Sequence, residues 1–167
     1  MGDPKHQHKN YARPRKPFDR SRIDEEKTLI KRFGLKNKRE IWRAESFINR
    51  IRAQAKKLII EPEKQKSFIE RLVKLGLIKS DANIDDILAL TKEKLLERRL
   101  QTIIFKKGLA KTPREARQFI VHRRIKIGDR IIDIPGYIVR KEEENKISSI
   151  KREKREKPEE KKVEEVK

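Results

Sequence analysis

LERRLQTIIFKKGLAKTPREARQFIVHRRIKIGDRIIDIPGYIV, residues 96–139, changes its hydrophobic period part-way along, and that change decides the fold. Leu96, Leu100, Ile103 and Ile104 recur at spacings of three and four, the repeat of a helix with one apolar side. Gly108 stops that helix, because glycine takes the left-handed geometry of a helix end at little cost. Thr112 starts a second one: it suits the N-cap, Pro113 suits the first helical position, and Glu115 completes a capping box. Ala116, Phe119 and Ile120 then face the first helix, and Arg114, Arg117 and Gln118 point outward. From Ile125 the period falls to two. Ile125 and Ile127, a Gly128-Asp129 turn, and Ile131 and Ile132 make a hairpin.

The charge of this stretch is one-sided. Between Leu95 and Lys141 there are 13 Lys/Arg and 4 Asp/Glu, whereas a merely solvated face mixes signs because like charges at helical spacing repel. Arg98, Arg99, Lys106, Lys107, Lys111, Arg114, Arg117, Arg123, Arg124 and Lys126 crowd into one small module, and a polyanion offsets the repulsion.

Working outward, the same imbalance recurs only once. Residues 1–60 carry 18 basic and 7 acidic residues, residues 61–94 carry 7 of each, and residues 142–167 carry 9 of each, so two basic regions flank a neutral one. Residues 1–20, with Pro4, Pro14 and Pro17, read as an extended basic arm with little to pack, disordered unless bound. Residues 21–94 read as a helical region. Ser21 with Asp24 starts a helix that Gly34 stops. Asn37 with Glu40 repeats the capping pattern before a long helix over 38–60, whose stripe is Ile41, Ala44, Ile48, Ile51, Ala55 and Leu58. Arg39, Arg43 and Arg50 project away from that stripe. Trp42 flanks it and reads as core, base stacking being the other reading. A third helix starts near Pro62 and stops before Gly76, and Asp85–Leu88 makes a short turn of helix before Thr91 caps the entry to the module. The module itself spans 95–150, where Ile147 and Ile150 finish a strand. The mixed-sign, low-complexity tail 151–167 reads as disordered. The fold class is therefore α+β: a mostly helical N-terminal region, then two helices and a β-ribbon.

ERRLQTIIFKKGLAKTPREARQFIVHRRIKI followed by IPGYIV resembles the RNA-binding module named after small-subunit ribosomal protein S-four. FGLKNKREIWRAESF and the opening MGDPK resemble the archaeal branch of the S-four family, which widens the match to most of the chain. The resemblance implies RNA contact through Arg98, Arg99, Arg114, Arg117, Gln118, His122, Arg123 and Arg124. It also implies small-subunit rRNA as partner, ribosomal protein S-five as neighbour, a role in nucleating assembly and in translational accuracy, and no cofactor. The bacterial branch often carries a cysteine zinc site; a chain without cysteine has none.

No glycine-rich phosphate loop, metal-spaced His/Cys set or cysteine nucleophile is present, so the expectation is a protein that is not an enzyme and takes no small-molecule substrate. No apolar run approaches the roughly 20 residues of a membrane span, and no signal-peptide core follows the basic N-terminus. A cytoplasmic, ribosome-bound protein follows as the expectation. The alternatives are an architectural DNA-binding protein, since the helices around Pro113 loosely resemble a helix-turn-helix, and the accessory module of an RNA-modifying enzyme.

Overall fold

The computed structural model describes residues 9–80 and 82–150, and the expectation of a disordered tail falls outside them. Helix α1 (Arg20–Phe33) turns Glu26, Leu29 and Phe33 inward. Its N-cap is Asp19 and not Ser21, whose hydroxyl instead donates to Asp19 Oδ1 at 2.8 Å. Gly34 ends the helix at φ 60°, and it is needed twice over: a Cβ there would stand 2.8 Å from Pro113 Cβ in the distant module. Helix α2 (Lys38–Leu58) buries Ile41, Ala44, Ile48, Ile51 and Ala55, the stripe its spacing predicts save Leu58, which is half-buried at the helix end. Helix α3 (Gln65–Lys74) follows a 3-10 turn at Pro62–Lys64, and α4 (Ile84–Leu88) opens on a capping box of Asn83 and Asp86. With α5 (Lys92–Glu97) these helices enclose one core, centred on Ile41, Leu72, Ile87, Leu90 and Leu96.

The single helix expected from Leu96 to Lys107 is two. Helix α5 ends at Glu97 and α6 (Leu100–Lys106) begins after an extended Arg99. The backbone there is spent on a different partner: Leu100 N–H donates to Tyr137 O at 2.8 Å, and Val139 N–H donates to Arg98 O at 3.0 Å. Those bonds lock the IPGYIV segment against the helical break through an Arg99–Ile138 bridge. Helix α7 (Pro113–Val121) starts as its sequence predicts, Thr112 Oγ1 accepting from Glu115 N–H at 3.2 Å. Strands β1 (Ile125–Ile127) and β2 (Arg130–Ile131) form the hairpin across Gly128, at φ 57°. A four-residue helix α8 (Lys141–Glu144), unforeseen in the sequence, precedes β3 (Ile147–Ser149), which pairs antiparallel with β1. The sheet order is β2-β1-β3. A second core of Leu100, Ile104, Ala116, Ile120, Ile125 and Val139 lies beneath it. The architecture is α+β, with helices predominating.

The arm, expected to be disordered unless bound, is held to α2 at Tyr11 and Ala12. Ala12 N–H donates to Ser46 Oγ on α2 at 3.1 Å, and the Tyr11 ring lies 6.1 Å from that of Trp42. Trp42 is half-buried and donates its indole N–H to Glu26 at 3.0 Å, so it is occupied within the protein. Among the described residues no helix is long and apolar enough to cross a membrane.

Candidate nucleic-acid interface

The cations singled out in the sequence divide into two groups once the chain is folded. On α7, Arg114, Gln118 and the C-cap His122 are exposed at spacings of four, so they form one line along the outer side of the helix. Arg123, at the turn after the helix, and Lys126, in β1, are exposed as well. Lys106, Lys107 and Lys111 are exposed at the end of α6 and in the loop beyond it, Lys106 paired with Glu97 at 3.3 Å and Lys107 donating to Glu144 O. Arg124 is half-buried, its guanidinium 5.6 Å above the Phe119 ring, a cation–π contact that orients it.

Arg123 is the only non-glycine residue at positive φ (57°) among the described residues. Helix α7 ends in a Schellman motif: Arg123 N–H bonds Ile120 O and Arg124 N–H bonds Phe119 O, both at 2.9 Å. The left-handed position of that motif usually holds glycine; here it holds a long cation, exposed beside Asp133 at 3.4 Å.

Arg98, Arg99 and Arg117 have other partners. Arg98 donates to Glu144 Oε2 at 2.7 Å and to Val139 O at 2.9 Å, and its guanidinium lies close beneath Gly76, where a Cβ would meet Cζ at 2.9 Å. Arg99 is buried and donates to Glu40 Oε2 at 2.9 Å. Arg117, expected to point outward, turns inward from α7 and donates to Glu40 Oε1 at 3.0 Å. The reason is positional: three residues after Arg114, it falls on the flank of α7 that faces α2. Glu40, read in the sequence as the second half of a capping pattern, in fact turns its carboxylate to the module and holds two arginines of it. Burial pushes the Glu40 carboxyl up, but the hydrogen bond from Arg117 and the charges of Arg99 and Arg117 outweigh burial and hold it below the ordinary carboxylate value. Burial in turn lowers Arg99, against the pull of Glu40.

Gln101 completes this seam. It is 1% exposed, and its amide nitrogen lies 3.1, 2.9 and 2.9 Å from Phe33 O, Gly34 O and Pro113 O, two hydrogens shared by three carbonyls. Sequence reasoning marks neither Glu40 nor Gln101 as a site residue. The signal for Gln101 was present: an amide inside LQTII, where a helix in water shows an apolar residue or a charge. On the other side of the seam, Arg39, Arg43 and Arg50 are exposed on α2. Arg43 and Arg50 border an open groove of about 490 Å³, with Phe47 on the same helix and Ile134, Pro135 and Gly136 of the module opposite. The seam arginines Arg99 and Arg117 line the groove too, whereas the exposed cations of α7 do not border it.

The S4 domain model matches residues 98–145, from the first arginine of the seam to just past the end of α8. The chain is 44% identical over 156 residues to the small ribosomal subunit protein uS4 of Thermoplasma acidophilum, covering 89% of this chain and 78% of the relative. It is 46% identical over 153 residues to the uS4 protein of Saccharolobus islandicus strain L.S.2.15, covering 88% of this chain and 84% of the relative. The chain belongs to the uS4 family. The matched domain begins where α5 gives way to the extended Arg99, so the part of the chain before it, with α1 to α5, is the separate helical core described above.

Proposed function

We propose that the chain is a structural constituent of the small ribosomal subunit, in the cytoplasm, that binds rRNA. Its membership of the uS4 family carries this reading, and the exposed cationic line of the S4 domain supports it. Its work is binding, with no catalytic step and no cofactor. It is a primary binder that nucleates assembly of the subunit body, contributes to translational accuracy and touches ribosomal protein S-five. Four units divide the labour: arm, helical region, S4-type module and tail, with bounds at residues 20, 94 and 150.

RNA contact falls to the exposed side chains: Lys106, Lys107, Lys111, Arg114, Gln118, His122, Arg123 and Lys126 on the module, with Arg124 oriented by Phe119, and Arg39, Arg43 and Arg50 on α2. Arg98, Arg99 and Arg117 serve the seam that keeps these faces in register. Two faces held on one scaffold make the second contact intramolecular, which raises affinity by about 10²–10⁴ over either alone. The test uses the intact chain and structured small-subunit rRNA at physiological salt. Alanine at Arg39, Arg43 and Arg50, or at Arg114, Gln118 and Arg123, lowers affinity far more than a single contact would. Duplex DNA competing as well as rRNA would replace this reading with an architectural DNA-binding one.

A further inference from the structure

Phe18 is 91% exposed, whereas the next most exposed phenylalanine among the described residues, Phe105, is at 39%. A lone exposed apolar side chain is ordinary. What sets Phe18 apart is that the chain on both sides of it is fixed while the ring is left bare. Arg22, on the first turn of α1, donates from Nη2 to Lys16 O and to Pro17 O, each at 3.0 Å. Its Nη1 donates to Glu26 at 2.7 Å, and Glu26 is itself buried and bonded to Trp42. On the other side the Asp19 backbone carbonyl accepts from Ile23 N–H at 3.1 Å, and its carboxylate accepts from the Ser21 hydroxyl at 2.8 Å. Proline at position 17 narrows the backbone further. The loop is therefore built onto α1 through one guanidinium, and the ordering cost of its backbone is met in the free protein.

The surroundings are cationic. Arg13, Arg15, Lys16 and Arg20 are all exposed, and none has an ion-pair partner among the described residues. The adjoining carboxylate, Asp19, is engaged at the helix start. A bare aromatic ring on a pre-ordered loop, with exposed cations on both sides of it in the chain that have no ion-pair partner among the described residues, has the chemistry of a stacking platform. The ring takes the face of an unpaired base, and the cations take the phosphates on either side of it. We propose that Phe18 stacks on an unpaired nucleobase of the RNA this chain binds, a contact that rests on the rRNA-binding reading and adds a base-stacking element to the cationic surfaces.

The experiment measures affinity of the full chain for structured small-subunit rRNA across a salt series, for the unaltered protein and for Phe18→Ala, Phe18→Leu, Phe18→Trp and Arg15→Ala. The fold is followed by circular dichroism, which a change at so exposed a ring leaves as it was. Phe18→Ala is expected to weaken binding about tenfold, with the slope of log K against log salt unchanged, because the ring neutralises no phosphate. Phe18→Trp retains full affinity, and Phe18→Leu behaves like alanine. Arg15→Ala flattens the slope by roughly 0.7–0.9, because one phosphate fewer is neutralised. Wild-type affinity in Phe18→Ala overturns the platform while leaving rRNA binding standing. Full affinity in Phe18→Leu overturns it too, since shape-filling against protein would then explain the ring. Failure of the unaltered chain to bind rRNA would overturn the reading beneath.

Discussion

Arg117 and Arg114 lie one turn apart on α7, and the folded chain uses them in opposite ways. Arg117 enters the seam between the two cores, where Glu40 holds it together with the buried Arg99. Arg114 stays in water at the head of the exposed line that runs through Gln118 and His122. The seam is an ion network of low exposure in which two arginines share one carboxylate, so its worth is positional and its failure is costly. The exposed line is unbalanced, contributes little to folding and is available to a polyanion. Residue type alone therefore does not mark a binding site in a chain this basic. Burial with pairing tells seam from surface, since the exposed Lys106 and Arg123 also have carboxylate partners.

Removing the shared carboxylate breaks the seam most severely. Glu40→Ala leaves Arg99 buried without its counter-charge, and the chain is expected to lose about 3 kcal/mol, measured by urea unfolding. A loss under about 1 kcal/mol would mean the seam is no more than a surface pair. The same network gives stability a dependence on pH. Glu40 and Glu26 are both held below the ordinary carboxylate value of 4.5; burial opposes this in each, and in Glu26 the bonds from Trp42, Lys38 and Arg22 outweigh it. A carboxylate depressed in the folded state contributes fully above its unfolded value and loses that contribution as pH falls through its folded value. Stability should thus hold from neutrality to about pH 5, then fall as acid is added below 4.5. In Glu40→Gln the fall is shallower. An unaltered acid limb in that variant would assign the dependence elsewhere.

The contrast between seam and surface also explains what the sequence made legible. Helix faces were legible because burial is periodic: the stripe from Ile41 to Ala55 and the pair Ala116 and Ile120 lie inward as their spacing requires. The exposed line was legible for the same reason, being what the apolar face leaves over. The break at Arg98–Arg99 was not, because its cause is a backbone partner some forty residues on, the carbonyl of Tyr137, and periodicity carries no information about a partner that distant. Glu40 was missed by the same rule. Its local pattern matches a helix start, and only the approach of α7 gives its carboxylate another use.

An intermediate effect separates the two arginines directly. Arg114→Ala is expected to change stability by less than about 0.5 kcal/mol and to cost about 1–3 kcal/mol of rRNA binding. Arg117→Ala is expected to cost stability first, with Arg117→Lys a poor rescue because lysine lacks the planar fork that meets a carboxylate. Equal losses of stability from the two alanines would erase the distinction between seam and surface. Intact rRNA affinity in Arg114→Ala would remove that residue from the interface and leave the line to Gln118 and beyond.

The smallest expected effect on folding is also the sharpest test of the exposed line, because at Arg123 stability and binding pull apart. A side chain at φ 57° carries roughly 1–2 kcal/mol of strain that glycine escapes, while glycine returns roughly 0.4–1 kcal/mol as extra freedom of the unfolded chain. The exposed contact to Asp133 at 3.4 Å adds little against this. Arg123→Gly should therefore leave stability unchanged or raise it by no more than about 1.6 kcal/mol. The same substitution removes a guanidinium from the line, so rRNA affinity should fall and the salt slope should flatten by roughly 0.7–0.9. Arg123→Ala is the control: it keeps the strained backbone and removes the charge, so it should match glycine in binding without the gain in stability. A strained cation kept in place of a more stable glycine is the mark of a residue held for what it binds. If Arg123→Gly binds rRNA as tightly as the unaltered chain, the strain at this helix end serves only the turn, and the line ends at His122.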